Sequence, residues 1–454
     1  MQKEQIQVLE TSITRLLRRG ANKQLINIIK KTHMADLSIV LENLTPLNQE
    51  KLINLLDNPE DIGLLFSHLP ESTFVALVKT VDFNKLVTVF DHMPSDDAAE
   101  LLGCLDEELS DKILSKMRKE ESYNVEQIMS YDEDTAGSLM VKDFVALEED
   151  IKAKEVIEAL QNKYLDVEMP FYIYVINTYG KLVGVSSLRQ LVVESPDRPL
   201  KEFMATDIVS VKPYTDREVV ARLVSRYDYL AIPVTDDDNR IIGIVTVDDV
   251  IDILHETATE DMLKMGGVGE EYVETQTIIK GTMIRMPWLL ASCLGGIANS
   301  FIIGGFESTL AKYTGLIAFI PIIMGMGGNI GTQSATIMVR GIATGRVHIR
   351  DLTKMLTKEL GVGFILGVLY GTLIGSVAKL RFMTDPFSWG VASSVSIAIV
   401  AAMSVAALVG TTVPLVFERL NIDPAVATGP FVTTFMDLSS IYCYFTISKI
   451  LLGL

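Results

Sequence analysis

The sequence predicts a multidomain membrane protein: an α-helical solenoid first, a duplicated α/β module next, and a five-helix transmembrane domain last. Three observations carry this reading. Charge is divided unevenly along the 454 residues, prolines recur at a fixed spacing near the start, and a strand-rich segment repeats before the apolar third begins. Hydrophobic residues make up 48% and charged residues 22%, with a formal net charge of -18. Up to Gly281 there are 29 Lys+Arg against 51 Asp+Glu, whereas the rest holds 11 against 7. An acidic, water-facing body therefore precedes a membrane body, which excludes a single soluble globule and a low-complexity chain. An acidic surface without a basic, aromatic-interleaved stripe also excludes a nucleic-acid partner.

From the N-terminus to about Lys119, apolar residues follow helical three-four spacing with almost no strand signal. Pro46, Pro70 and Pro94 stand 24 residues apart, each before a fresh amphipathic run, the pattern of a small helical solenoid at 1–130. Asp96 and Asp97 open one such run, where acids complement the helix dipole. The first residues (Leu9, Ile13, Leu16, Leu17) are amphipathic and lack the apolar core of a signal peptide, so the acidic body is expected in the cytoplasm. Cys104, Cys293 and Cys443 lie far apart, which predicts no disulfide framework and no zinc site.

Between about Ser138 and Leu254 the period changes. Residues 181–187 (KLVGVSS) return 59 positions later at 240–246 (RIIGIVT), each copy behind a strand and turn, and Leu139-Met140 and Phe203-Met204 open the two copies. This β-α-β-β-α duplication resembles tandem CBS domains, placed at 131–200 and 201–255; such domains often bind adenine nucleotides or respond to ions. Residues 256–281 then form an acidic connector with Glu256, Glu260, Asp261, Glu270, Glu271 and Glu274, interrupted by Gly266, Gly267 and Gly269. A solvated linker and a coupling helix both fit.

Five apolar segments follow in the transmembrane domain, 282–454: residues 286–306, 313–339, 360–378, 386–417 and 424–448, each long enough to cross the ~30 Å hydrocarbon layer as a helix. Arg340, Arg346, Arg350, Lys354 and Lys358 between the second and third place that loop in the cytoplasm. Five crossings then put the C-terminus outside. Only the fifth segment contains a charge, Asp437, expected near mid-bilayer. A carboxylate facing lipid there is costly, so it should face a bundle interior or a wet pathway, with Thr433 one turn away. It is read either as a structural acid or as a cation ligand. The second segment carries Gly325, Gly327, Gly328 and Gly331 around Asn329, Thr332 and Gln333. So many glycines suggest a helix break that lines a cavity, or close helix packing. Neutral oxygens beside one carboxylate suit a hard, hydrated cation.

Taken in order, the helical repeat, the paired CBS modules, the acidic connector, Gly-Gly-Asn at 327–329 and Pro-Phe-Val-Thr-Thr at 430–434 ahead of Asp437 resemble the MgtE family of magnesium channels. The resemblance implies a homodimer in the cell membrane with the pore between its two membrane domains, Asp437 as pore acid, and Asn329 and Thr433 near it. It further implies that magnesium is both cargo and regulator, bound between the cytosolic domains so as to hold the pore shut. The regulatory carboxylates would be Asp96 or Asp97, then Asp216, Asp228, Asp249 and Asp252 in the second CBS module, and Glu256, Glu260 and Asp261 on the connector. Thr257 and Ser440 depart from the family pattern, at a connector acid and at a glycine of the fifth span. ATP is a doubtful ligand: Tyr172 and Arg189 flank the first-copy pocket, but Gln190 stands where an acid would hold the ribose. No P-loop or nucleophile-base set is visible, so no enzymatic activity is expected. A coupled secondary transporter of divalent cations and a membrane-tethered CBS sensor remain as other classes.

Overall fold

The computed structural model describes residues 3–162, 171–268, 277–344, 347, 352–384, 386–420 and 422–453. The connector acids Glu270, Glu271 and Glu274 and the loop arginines Arg346 and Arg350 lie outside them. The chain divides into two compact units, Met1–Leu254 and His255–Leu454.

The first unit opens with α1 (Lys3–Arg19), α2 (Asn22–Ile29), α3 (Met34–Glu42), α4 (Pro46–Asn54), α5 (Pro59–Ser67), α6 (Glu71–Val78), α7 (Phe83–Phe90), α8 (Ser95–Gly103), α9 (Glu107–Leu114) and α10 (Lys119–Met129). The 24-residue proline period is the length of a helix pair. Pro46 starts α4, while Pro70 and Pro94 are the N-caps of α6 and α8, where a missing N–H costs no helical bond and the preceding helix must stop. Alternate helices stack, α3 on α5, α5 on α7 and α7 on α9. Leu37, Leu41, Leu52, Phe66, Phe74 and Phe90 are fully buried between them.

In the α/β region, β1 (Ala146–Glu148), α11 (Ala153–Asn162), β2 (Tyr172–Ile176), β3 (Leu182–Ser187) and α12 (Leu188–Val193) form the first copy. The second consists of α13 (Arg217–Tyr227), β4 (Ala231–Thr235) and β5 (Ile241–Thr246), followed by α14 (Val247–Met265). β1 pairs parallel with β2, and β2 antiparallel with β3, while β4 and β5 pair antiparallel. The two hairpins carry a bulge at the same place, Val175/Ile176 and Val234/Thr235, as expected of a duplication. The opening segments are exchanged. Val141 bonds both ways with Ile244 of the second hairpin and Ala205 with Val185 of the first, so the copies interlock. Glycine is required at both crossings: a Cβ on Gly184 would lie 2.1 Å from the Met204 sulfur, and one on Gly243 2.8 Å from that of Met140. The apolar core of the helical layer continues into the second copy through Val220, Val224, Ile232, Val245 and Val250, whereas the first copy has a core of its own.

The second unit is a bundle of α15 (Ile278–Gly305), the short α16 (Glu307–Lys312), α17 (Ile320–Ala343), α18 (Leu352–Arg381), α19 (Ser388–Arg419) and α20 (Pro430–Leu451). α19 is its hub, packed against α17, α18 and α20. Gly363, Gly367, Gly371 and Gly375, one per turn of α18, lie against the α19 backbone. A Cβ at Gly371 would be 2.6 Å from the Ser396 carbonyl oxygen, the close approach that small residues permit. Among the described residues four helices are long and apolar enough to cross a membrane: Ile278–Gly305, Thr314–Ala343, Leu352–Arg381 and Ser388–Arg419. The fifth expected span, α20, is not among them. Asp437 and a run of Thr and Ser side chains dilute its apolar content. Residues Pro424–Thr428 form a separate 3-10 turn. Asp437 is therefore the eighth residue of a 22-residue helix, about 10 Å from its start and short of the middle. The glycines of α17 do not break it either: the helix runs 24 residues without interruption.

Candidate functional site

Asp437 and Thr433 line a cavity of about 440 Å³ whose other walls include Thr434 and Ile441 of α20, Ser292, Gly295 and Asn299 of α15, and Met324 of α17. Asp437 is half-buried, and neither Lys nor Arg lines the cavity. The Thr433 hydroxyl donates to the backbone oxygens of Gly429 (3.3 Å) and Pro430 (3.2 Å), tying it to the first turn of α20. A carboxylate among hydroxyls and one amide, open to water-sized species, can bind a cation through its water shell.

Asn329 does not line this cavity. The buried face of α17 is set by Gly327 and Gly331, where a Cβ would come within 2.3 Å of the Ser440 hydroxyl and 2.6 Å of the Met436 methyl. Asn329 points away from that face and is exposed, as are Gly325, Gln333 and Thr336. Of the two readings of the glycines, close packing describes Gly327 and Gly331. Ser440 is fully buried against Gly327, so the hydroxyl fits only because residue 327 has no side chain.

Two polar residues were not singled out by sequence reasoning. Asn299, 7% exposed, lines the Asp437 cavity. Glu359, 4% exposed, stands one position before the third apolar segment and accepts a hydrogen bond from Ser334 of α17 at 3.0 Å. The available signals were an Asn inside the first apolar run and an acid at the edge of the third.

In the first unit, Asp96 in the first turn of α8 is half-buried, and its enclosed Oδ1 has no hydrogen-bond partner. Burial pushes its carboxyl well above the usual range, and repulsion from Asp249 and Asp97 adds to that. Burial likewise raises Asp249, in the first turn of α14, to about 7, although the Thr246 hydroxyl donates to its Oδ2 at 2.8 Å. Three carboxylates from α8 and α14 thus crowd one seam. Among the described residues no group of three or more His, Cys, Asp or Glu side chains is placed to hold a metal ion. The orphaned Asp96 oxygen and the mutual repulsion are nonetheless the environment that a hard cation with its own waters would relieve.

The remaining expected ligands are dispersed. Asp216 caps α13, accepting from the Glu218 N–H at 2.8 Å, and Asp228 ends the same helix in the left-handed conformation, φ 54°. Asp252 and Glu256 are exposed on α14 and Asp261 is half-buried; Thr257 shares that helix. Glu260 pairs with Lys264, which also reaches Asp423 at 2.6 Å, tying the end of α14 to the turn before α20. Tyr172 lies on β2, its hydroxyl 3.5 Å from the Leu230 N–H, and Arg189 is exposed on α12. Gln190 is engaged in a capping box with Ser187 at the start of α12.

A duplicated α/β module beside a helical layer, together with a bundle of membrane-length helices around a half-buried carboxylate, defines a multi-pass membrane protein for cation transport. Comparisons are specific. Residues 320–447 match the divalent cation transporter model MgtE, 32–134 the MgtE intracellular N domain, and 136–196 and 200–256 the CBS domain. The chain is 34% identical over 454 residues to the magnesium transporter MgtE of Thermus thermophilus, covering 98% of each. It is 30% identical to that of Bacillus subtilis, covering 95% of each. A solved cytosolic domain of the Mg2+ channel MgtE in complex with ATP superposes with a TM-score of 0.52 and 32% identity, over 54% of this chain and 99% of that one. The chain belongs to the MgtE family of magnesium transporters.

Proposed function

We propose that this chain forms a homodimeric magnesium channel with five crossings per copy, the acidic unit in the cytoplasm as an N-terminal solenoid and CBS pair, and the C-terminus outside. The observation that carries the reading is Asp437 in a cavity whose other walls are neutral oxygens and apolar groups. Two Asp437 carboxylates, one from each copy, would face a hydrated divalent ion. Magnesium keeps its waters, so few charges hold it loosely enough to leave. An inside-negative potential favours inward movement of a divalent ion by about 4.6 kcal/mol per 100 mV, so no chemical energy source is needed. The polar outer face of α17, with Asn329, Gln333 and Thr336, is unsuited to lipid and is the surface a second copy would cover.

Closure follows from the crowded seam. Cytosolic magnesium bound among Asp96, Asp97 and Asp249 would favour the compact state, and an ion preferring one state shifts the population towards it. Asp216, Asp228, Asp252, Glu256, Glu260 and Asp261 are candidates for further regulatory ions. The solved relative bound ATP, and the corresponding pocket here would lie near Tyr172 and Arg189.

The test is flux into liposomes under a clamped potential. Asp437→Ala should abolish magnesium uptake while the protein stays folded; uptake like the wild type would refute the pathway. Buried Glu359 favours a second reading, a proton-coupled carrier. That reading requires uptake driven by a pH gradient at zero potential and lost in Glu359→Gln.

A further inference from the structure

The cavity that holds Asp437 is walled by α15 as well as α20. Ser292, Gly295, Gly296, Asn299 and Ser300 recur at three-four spacing, so they share one face of α15, and that face lines the cavity. Gly295 lets the helices come together, since a Cβ there would lie 2.0 Å from the Thr434 methyl. One turn further along, Asn299 is buried, and its Oδ1 has no hydrogen-bond partner in the protein. A buried amide oxygen without a donor is unfavourable, so Asn299 needs one from whatever occupies the cavity it lines.

Water bound to a divalent cation is a stronger donor than bulk water, because the ion polarises its O–H bonds. Asp437 supplies the charge that draws such an ion into this cavity. We infer that Asn299 is a specificity-determining residue of the Asp437 pathway, whose amide oxygen accepts a hydrogen bond from the water shell of a hydrated divalent cation. This rests on the pathway reading above and assigns it a second, neutral wall. The chemistry favours an ion that keeps its waters over one that sheds them, because the amide contributes by holding water and carries no charge to replace it.

The experiment uses the full chain in liposomes with a clamped potential and dyes reporting Mg2+ and Co2+ uptake, comparing Asn299→Leu, Asn299→Ser and Asp437→Ala. Leucine keeps the branched shape and removes the oxygen, whereas serine restores a neutral acceptor. Asn299→Leu should lower Mg2+ flux about tenfold, equivalent to about 1.4 kcal/mol, and shift the Mg2+/Co2+ flux ratio with an unchanged melting temperature. Asn299→Ser should recover most of the flux. Wild-type flux and ratio in Asn299→Leu, with Asp437→Ala silent, overturns the role of Asn299 and leaves the pathway standing. Equal impairment by both Asn299 variants at an unchanged ratio, or a loss that tracks a lowered melting temperature, assigns a packing role and overturns it too. Wild-type flux in Asp437→Ala removes the pathway itself.

Discussion

Replacing Asp249 by Asn tests whether the α8–α14 seam stores repulsion that a cation relieves. Burial raises the Asp249 carboxyl from an ordinary 3.8 to about 7, so the folded protein holds a proton that the unfolded chain releases near pH 4. Below that pH both states are protonated and nothing is lost. Between about pH 4 and 7 stability falls as the unfolded state ionises first, and above 7 the loss is complete. A shift of about three units corresponds to about 4 kcal/mol as an upper bound, reduced by whatever water reaches the seam. Magnesium at about 100 times its dissociation constant would restore about 2.7 kcal/mol. The amide of Asn can still accept from Thr246, so the substitution removes charge with little else. Hydrogen exchange of α8 and α14 in the full chain in micelles, corrected for intrinsic rates, reads the local stability. In chelator, wild-type protection should drop from pH 5 to pH 8 and return with magnesium, whereas Asp249→Asn should show a shallower drop and a smaller magnesium effect. Equal pH slopes in the two proteins would refute the reasoning.

Three further outcomes follow from the geometry. Asp249→Lys places a fixed cation beside Asp96 and Asp97, and should suppress magnesium flux at low internal magnesium; normal flux there would show that this seam does not gate. Gly327→Ala forces a Cβ to within 2.3 Å of the Ser440 hydroxyl and should destabilise the bundle by about 1 to 3 kcal/mol, with the added substitution Ser440→Gly restoring the melting temperature. ATP should bind weakly or not at all at the first CBS copy, because Gln190 is occupied in a helix cap and lacks the charge to pair with a ribose; micromolar affinity by calorimetry, lost on changing Tyr172 or Arg189, would contradict this.

The order of helical, α/β and membrane-length parts was legible because the hydrophobic period and the charge balance change along the chain. The 24-residue proline spacing marks helix pairs, and the 59-residue repeat marks two hairpins with matching bulges. Asp437 was legible as the only charge in its run. Asn329 was misplaced because a glycine-rich stretch does not say which face of its helix is buried; that is decided by Ser440 and Met436 on α20, far away in sequence. Asn299 was passed over for the complementary reason. A single Asn in an apolar span gains meaning only when another helix brings a carboxylate to the same cavity. The exchange of Met140 and Met204 between the CBS copies was likewise hidden, because a repeat in sequence does not specify which copy of the sheet a segment joins.

The seam between the helical layer and the second CBS copy combines two terms of opposite sign. One apolar core runs across it, from Phe90 and Leu102 into Val220, Ile232 and Val250, and favours closure. Beside that core, the half-buried Asp96 and Asp249 repel one another once ionised, which would oppose closure. Apolar burial of this kind changes little with ion concentration, whereas the repulsion disappears when a divalent cation binds. A junction held near balance needs only a modest difference in affinity to change state; moving it from 1:99 to 99:1 takes about 5.5 kcal/mol. On the gating proposed above, the half-buried acids of this seam would supply more of that than the exposed acids on α14, because charges in water repel weakly. Substitutions at Asp96 or Asp249 should therefore shift the magnesium concentration for closure more than equivalent changes at exposed Asp252 or Glu256. Measuring half-inhibition by internal magnesium across the four single amide variants decides the order, and a larger shift from Asp252→Asn than from Asp96→Asn would place the sensor on the exposed face of α14 instead.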